Sequence, residues 1–169
     1  MAVSTAESYY RVSLKRDTPA YIHEDLCWPE FSTGSPCVSA CPLQMDIPNY
    51  VIAIAEGNPT KALSIIRETN PLPSVCGRVC HHPCEQVCNR GVVDAPIAIE
   101  WLKRFAVDSG EDEAPSALSI TKEDKVAIIG AGPAGMTAAS DLMKKGYRVD
   151  VFDAASKPGG QLASSIPDF

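Results

Sequence analysis

The sequence predicts an all-α domain threaded with clustered cysteines, followed by the opening β-α-β unit of an α/β domain. Three observations predict it. Helix caps and one-sided apolar spacing recur between the thiol pair of SPCVSACP and the thiol run of VCGRVCHHPCEQVCNRG. A short apolar strand then enters a glycine-rich turn in VAIIGAGPAG. Between the two lies SGEDEAPSALSITKE, an acidic, small-residue stretch that reads as a linker.

Residues 1–26 carry no strong periodic signal and read as an extended arm, of the kind that wraps on a partner. The first compact unit covers 27–108. There, Asp46 suits the cap of a helix beginning near Pro48 and stopping at Gly57. Asn58 caps a second helix with Pro59 at its first position. Ala62, Leu63, Ile65 and Ile66 give that helix an apolar face, and Asn70-Pro71-Leu72-Pro73 breaks it. A further helix is expected over Ala98 to Val107, with Leu102, Phe105 and Ala106 on one face. Such a unit has a thin core, so bound metal is expected to contribute much of its stability.

Residues 109–123 form the linker, and 124–169 the second unit. The apolar run from Lys125 is of buried parallel-strand type. A helix is expected from about Ala134 to Lys145, closed by Gly146, and a second strand over Tyr147 to Phe152. This order opens a doubly wound sheet.

Composition narrows the function. The chain has 169 residues, a net charge of −6 and 45% apolar residues, with a pI near 5.0. No basic stripe suggests nucleic acid. No apolar run approaches the roughly 20 residues of a spanning helix, and the N-terminus has no apolar signal-peptide core. The expected setting is cytoplasmic, where clustered thiols serve metals or catalysis more often than disulfides. Seven cysteines is also an odd number.

Cys27, Cys37, Cys41, Cys76, Cys80, Cys84 and Cys88 are therefore candidate metal ligands. Iron in a sulfide cluster prefers thiolate, and each cubane takes about four ligands. Thiols at three-residue gaps lie about a helical turn apart. Pro83 interrupts one gap, so the later thiols divide readily between two centres. Zinc also accepts such spacing, though it leaves thiols over. His81 and His82, between ligand thiols, read as loop residues beside a cluster, and His23 has no evident role.

Gly130-Ala131-Gly132-Pro133-Ala134-Gly135 is the G-x-G-x-x-G of a dinucleotide turn. Gly130 permits the turn, Gly132 lets backbone approach a pyrophosphate, and Gly135 lets helix pack on strand. The pyrophosphate sits at the helix N-terminus. Asp153, after the second strand, suits ribose hydroxyls. Asp150 is less well placed. No residue reads as an acid–base catalyst.

Four blocks in order carry a resemblance: CPLQMDIPNYVIAIAEGNPTKAL, NPLPSVCGRVCHHPCEQVCNRG, DAPIAIEWLKRFAVD, and VAIIGAGPAGMTAASDLMKKGYRVDVFDAASKPGGQL. They resemble the N-terminal half of the glutamate synthase small-subunit family. The same module occurs at the start of dihydropyrimidine dehydrogenase and in the large subunit of NADH-dependent ferredoxin:NADP oxidoreductase. The resemblance covers about residues 27–169. It implies a helical domain holding two 4Fe-4S clusters and the start of a Rossmann-like FAD-binding domain. It implies Cys37 and Cys88 on one cluster with upstream thiols, and Cys41, Cys80 and Cys84 on the other. It implies FAD at the glycine-rich turn and Asp153, with Gly160, Gln161 and Leu162 matching a GGQL-type loop beside the cofactor.

The chain departs from that pattern. Relatives often carry an upstream C-x2-C pair, where this chain offers Cys27. Relatives can complete one cluster with Gln or Glu, where this chain has Lys103. Its ammonium has no lone pair, so Glu100 or Cys76 is the candidate substitute. The chain ends soon after the GGQL block, so a fragment, or completion by another chain, is expected. The function implied is an electron-transfer subunit of an NAD(P)H-linked flavin and iron–sulfur oxidoreductase, working with other oxidoreductase subunits. Without the second nucleotide domain it is not expected to oxidise NAD(P)H alone. The alternative is a non-catalytic assembly module, stabilised by clusters or zinc, whose βαβ tail another chain completes.

Overall fold

The computed structural model describes residues 34–111 and 118–166. The chain divides into two compact units, residues 1–112 and 113–169.

The described part of the first unit is helical. Helix α1 spans Pro36–Ala40, α2 Ile47–Ala55, α3 Pro59–Thr69, α4 Pro73–Val79 and α5 Pro83–Gln86. A 3-10 turn covers Asn89–Val92, and α6 spans Ile99–Ser109. The predicted caps are in place. Asp46 accepts from the Asn49 amide at 3.3 Å, and Asn58 from the Lys61 amide at 2.9 Å. Five of these helices start with proline in the first turn, where its missing N–H costs nothing.

Helices α2, α3, α4 and α6 pack together, and α1 packs on α5. The core holds Ile47, Tyr50, Ile66, Ile99 and Ala106, joined by Cys37, Cys41 and Cys84. The Tyr50 hydroxyl, fully buried, donates to the Ile99 carbonyl at 3.2 Å. Helix α6 turns most of the expected face inward: Ala106 is buried and Leu102 packs on the core, and only Phe105 departs. Its buried stripe is Ile99, Lys103 and Ala106, while Phe105 is 48% exposed. A charged residue interrupts the inward stripe, so apolar spacing passed over Lys103 and took in Phe105.

The second unit has two parallel strands, β1 (Lys125–Ile129) and β2 (Arg148–Phe152), in register Lys125↔Arg148 to Ile129↔Phe152. Helix α7 (Pro133–Lys144) crosses between them and packs on both. Gly146, at φ +86°, closes the crossover. A short helix α8, Gln161–Ser165, follows. This is the predicted β-α-β opening of a Rossmann-like domain.

Candidate functional site

Helices α1, α4 and α5 and their flanks carry the thiols. The break between α4 and α5 sets their direction. Helix α4 stops at Val79, Cys80 is extended, and His82 adopts the left-handed conformation at φ +41° before Pro83 restarts the chain. The thiols thus leave one continuous stripe, as Pro83 suggested. Cys37, Cys41 and Cys84 are buried, Cys76, Cys80 and Cys88 half-buried, and all six stand as free thiols. Cys27 lies outside the described residues.

Electrostatics sort them into two sets. Burial pushes the Cys84 thiol up to about 11, with Cys41, Glu85 and Cys80 adding to it and Lys103 opposing. Burial also raises Cys76, with Cys80 and Cys41 contributing and Lys103 and an Asn70 hydrogen bond opposing. Cys41, Cys76, Cys80 and Cys84 therefore share one neighbourhood. Cys37 belongs to another: burial raises it, Ser35 lowers it and Cys88 raises it. Cys37 and Cys88 line one small hollow with Ser35, Asn89 and Ile97. Tyr50, raised well above the usual phenol range mainly by burial, feels Cys84, Cys37 and Cys41, so it adjoins both sets.

Among the described residues, no three His, Cys, Asp or Glu side chains close on a single metal ion. The donors themselves are soft thiols, three of them buried and three half-buried, which suits iron–sulfur ligation. The polar groups nearby are committed. Asn70, 1% exposed, accepts from the Leu72 amide at 3.0 Å and donates to the Met45 sulfur at 3.6 Å. The His82 amide donates to the Cys80 sulfur at 3.3 Å, a contact of the kind that tunes cluster potentials. The His82 Nδ1 faces a Glu100 carboxylate oxygen at 2.7 Å, and the Glu100 amide donates to Glu85 Oε1 at 2.8 Å. Glu100 is thus engaged by His82, while Cys76 feels Cys41 and Cys80. His81 is exposed. Sequence reasoning missed Asn70 and Glu85, whose roles arise only when helices meet.

In the second unit, Gly130 takes φ +103°, which favours glycine. A Cβ on Gly135 would collide with the Gly130 carbonyl oxygen. Asp153 Oδ2 accepts from the Ala131 amide at 2.6 Å and Oδ1 from the Ala155 amide at 2.7 Å. Those bonds hold its carboxyl below the usual range. Each oxygen keeps a second lone pair, so the side chain pins the turn and still offers acceptors. The Gly159 amide donates to the Ala131 carbonyl at 2.8 Å, and a Cβ on Gly160 would lie 3.0 Å from Gly132 Cα. The GGQL segment therefore folds over the glycine-rich turn. Gly132, Pro133 and Ala134 lie where α7 begins, and Gln161 and Leu162 lie in α8.

Comparison with known proteins agrees with both units. The family described as dihydropyrimidine dehydrogenase domain II, 4Fe-4S cluster, matches residues 30–114, half of the chain. An NAD(P)-binding Rossmann-like domain matches residues 128–168. The beta subunit of NADP(+)-dependent formate dehydrogenase from Moorella thermoacetica is 41% identical, over 80% of this chain and 22% of its own length. The beta subunit of NADPH-Fe(3+) oxidoreductase from Geobacter sulfurreducens is 44% identical, over 80% of this chain and 21% of its own length. The PreT subunit of NAD-dependent dihydropyrimidine dehydrogenase from Escherichia coli is 41% identical, over 80% and 34% respectively. The chain thus spans a fifth to a third of these relatives. Among the described residues, no helix is long and apolar enough to cross a membrane.

Proposed function

We infer from one premise, that this chain belongs to the dihydropyrimidine dehydrogenase domain II, 4Fe-4S cluster family, that it is the electron-transfer part of an NAD(P)H-linked flavin and iron–sulfur oxidoreductase. The observation that supports the reading is that Cys76 and Cys84, in the matched unit, each feel Cys41 and Cys80. These four would hold one 4Fe-4S cluster. Cys37 and Cys88 would hold a second, with Cys27 as a further candidate ligand. When bound, the clusters carry single electrons and a flavin accepts hydride, chemistry that belongs to the cofactors.

The chain's own residues bind, orient and shield. The α1 and α5 pair buries Cys37, Cys41 and Cys84 away from water, which lowers the local dielectric. Asn70 fixes Cys76, and the His82 amide supports Cys80. In the second unit the turn from Gly130 to Gly135 would cradle the FAD pyrophosphate at the α7 N-terminus. Ala131, Asp153 and the Gly160, Gln161 and Leu162 segment would orient the adenosine side. The proposed partners are other oxidoreductase subunits, and the proposed setting is the cytoplasm.

The test is iron, acid-labile sulfide, zinc and flavin content of the full chain purified anaerobically. About eight irons and eight sulfides per chain are expected, as two four-iron cubanes require. Zinc without sulfide would overturn the reading in favour of a structural assembly module. Sulfide with no flavin uptake would limit the chain to the cluster role.

A further inference from the structure

Lys103 is the one buried charge on the inward face of α6. It is 3% exposed and shares its stripe with Ile99 and Ala106. Lysine is almost never so buried without a partner of opposite charge. Among the described residues, none of the ion pairs to carboxylates involves it. Its helix packs closely on the one that carries Cys76: a Cβ on Gly77, the residue after Cys76, would lie 3.1 Å from Cα of Arg104, the residue after Lys103. The positive charge of Lys103 opposes the effect of burial on Cys76 and Cys84.

Four thiolates on a 4Fe-4S core leave a net anion, and reduction adds one more negative charge. A fixed positive charge beside it stabilises the reduced form more than the oxidised form. The effect is large where water is excluded, because Coulomb energies grow as the dielectric falls. Net charge around a cluster is one of the levers that sets its potential. Among the described residues, no second lysine or arginine is buried in this way to serve the other thiol set. Arg90 lines the hollow of Cys37 and Cys88, but its guanidinium is bound to both Asp94 oxygens at 2.9 and 2.6 Å.

We propose that Lys103 is a buried charge compensator that raises the reduction potential of the centre held by Cys41, Cys76, Cys80 and Cys84 above that of the centre using Cys37 and Cys88. It acts through space and is not a ligand. The step it biases is uptake of one electron by the cluster; no bond forms or breaks at Lys103. The inference rests on the cluster reading above and deepens it: it makes the two centres electrostatically unequal and sets the order in which they fill.

The test is a mediated redox titration of the full chain, followed by electron paramagnetic resonance, with iron and sulfide measured on each sample. Wild type is compared with Lys103→Met, Lys103→Gln and Lys103→Arg. The expected result is a shift of one centre toward the oxidised form by at least tenfold in both neutral variants, about 59 mV for one electron. The second centre is expected to stay within a third of that shift, and Lys103→Arg to remain near wild type. Loss of iron from one centre in the neutral variants, with retention in Lys103→Arg, also supports the proposal, since charge then holds the thiolates. Unchanged potentials in a fully loaded Lys103→Met protein overturn it. So does loss of iron from all three variants, which assigns the side chain a packing role. Wild type without sulfide overturns the cluster reading itself, an outcome distinct from either.

Discussion

At the residue scale, the thiols are held by neighbours as much as by their own helices. Asn70 ends α3, is 1% exposed, and spends its amide on Leu72, Met45 and Cys76. Replacing it with alanine leaves the Leu72 amide and the half-buried Cys76 thiol short of a partner. Asn70→Ala is expected to cost about 1–3 kcal/mol, read by denaturant unfolding, and to weaken iron retention at the Cys76 centre. Full stability with normal iron content would remove Asn70 from this role. Asp153 offers a pH test with a fixed sign. Its folded pKa is depressed by the Ala131 and Ala155 amides. Its hold on the glycine-rich turn is therefore complete above the ordinary carboxylate value of about 3.9, and is lost as pH falls through the lower folded value. The Ala131 amide resonance is expected to titrate with a midpoint below that ordinary value. A midpoint at the ordinary value would show that the bond does not form in solution.

At the element scale, sequence reading succeeded where structure is local and failed where it is not. Asp46, Asn58 and the prolines behind them announced α2 and α3, because caps act within one turn. The thiol spacing announced a metal centre, because the ligands themselves repeat. The start of α6, expected at Ala98, falls at Ile99, although what supports it there is not local. Its cap Ala98 makes no side-chain bond, and Glu85 reaches its Glu100 amide from α5. On its inward face Leu102 and Ala106 were read correctly and Phe105 was not, because the buried residue is Lys103 and apolar spacing does not count a lysine. The joint of α4 with α6 was equally hidden. At Gly77, an added Cβ would lie 3.1 Å from Arg104 Cα and 3.3 Å from its nitrogen. Those are backbone atoms and cannot swing aside. Gly77→Val is expected to destabilise the first unit by about 1–3 kcal/mol through overpacking, and to displace the helix that carries Lys103. A variant as stable as wild type to urea would mean that the two helices pack less closely than this.

At the scale of the whole molecule, the two units ask for different sources of stability. In the first, three of the buried core residues are Cys37, Cys41 and Cys84, so the candidate ligands and the core are partly the same atoms. If those thiols hold a cluster as proposed, removing it removes bonds to α1, α4 and α5, the shortest α-helices described in that unit. Metal binding and folding are then one equilibrium. In the second unit no cysteine is present; Gly130, Asp153 and the β1–β2 register hold the chain. Chelating the iron from anaerobic protein is therefore expected to act on one unit alone. Hydrogen exchange should accelerate at the amides of α1, α4 and α5 first and of α2, α3 and α6 next, with those of β1, α7 and β2 unchanged. Equal acceleration in both units would show that they unfold together, and that the cluster domain supports the nucleotide-binding unit as well as itself. Unchanged exchange throughout would show that the helices stand without metal, and that the thiols serve chemistry rather than folding.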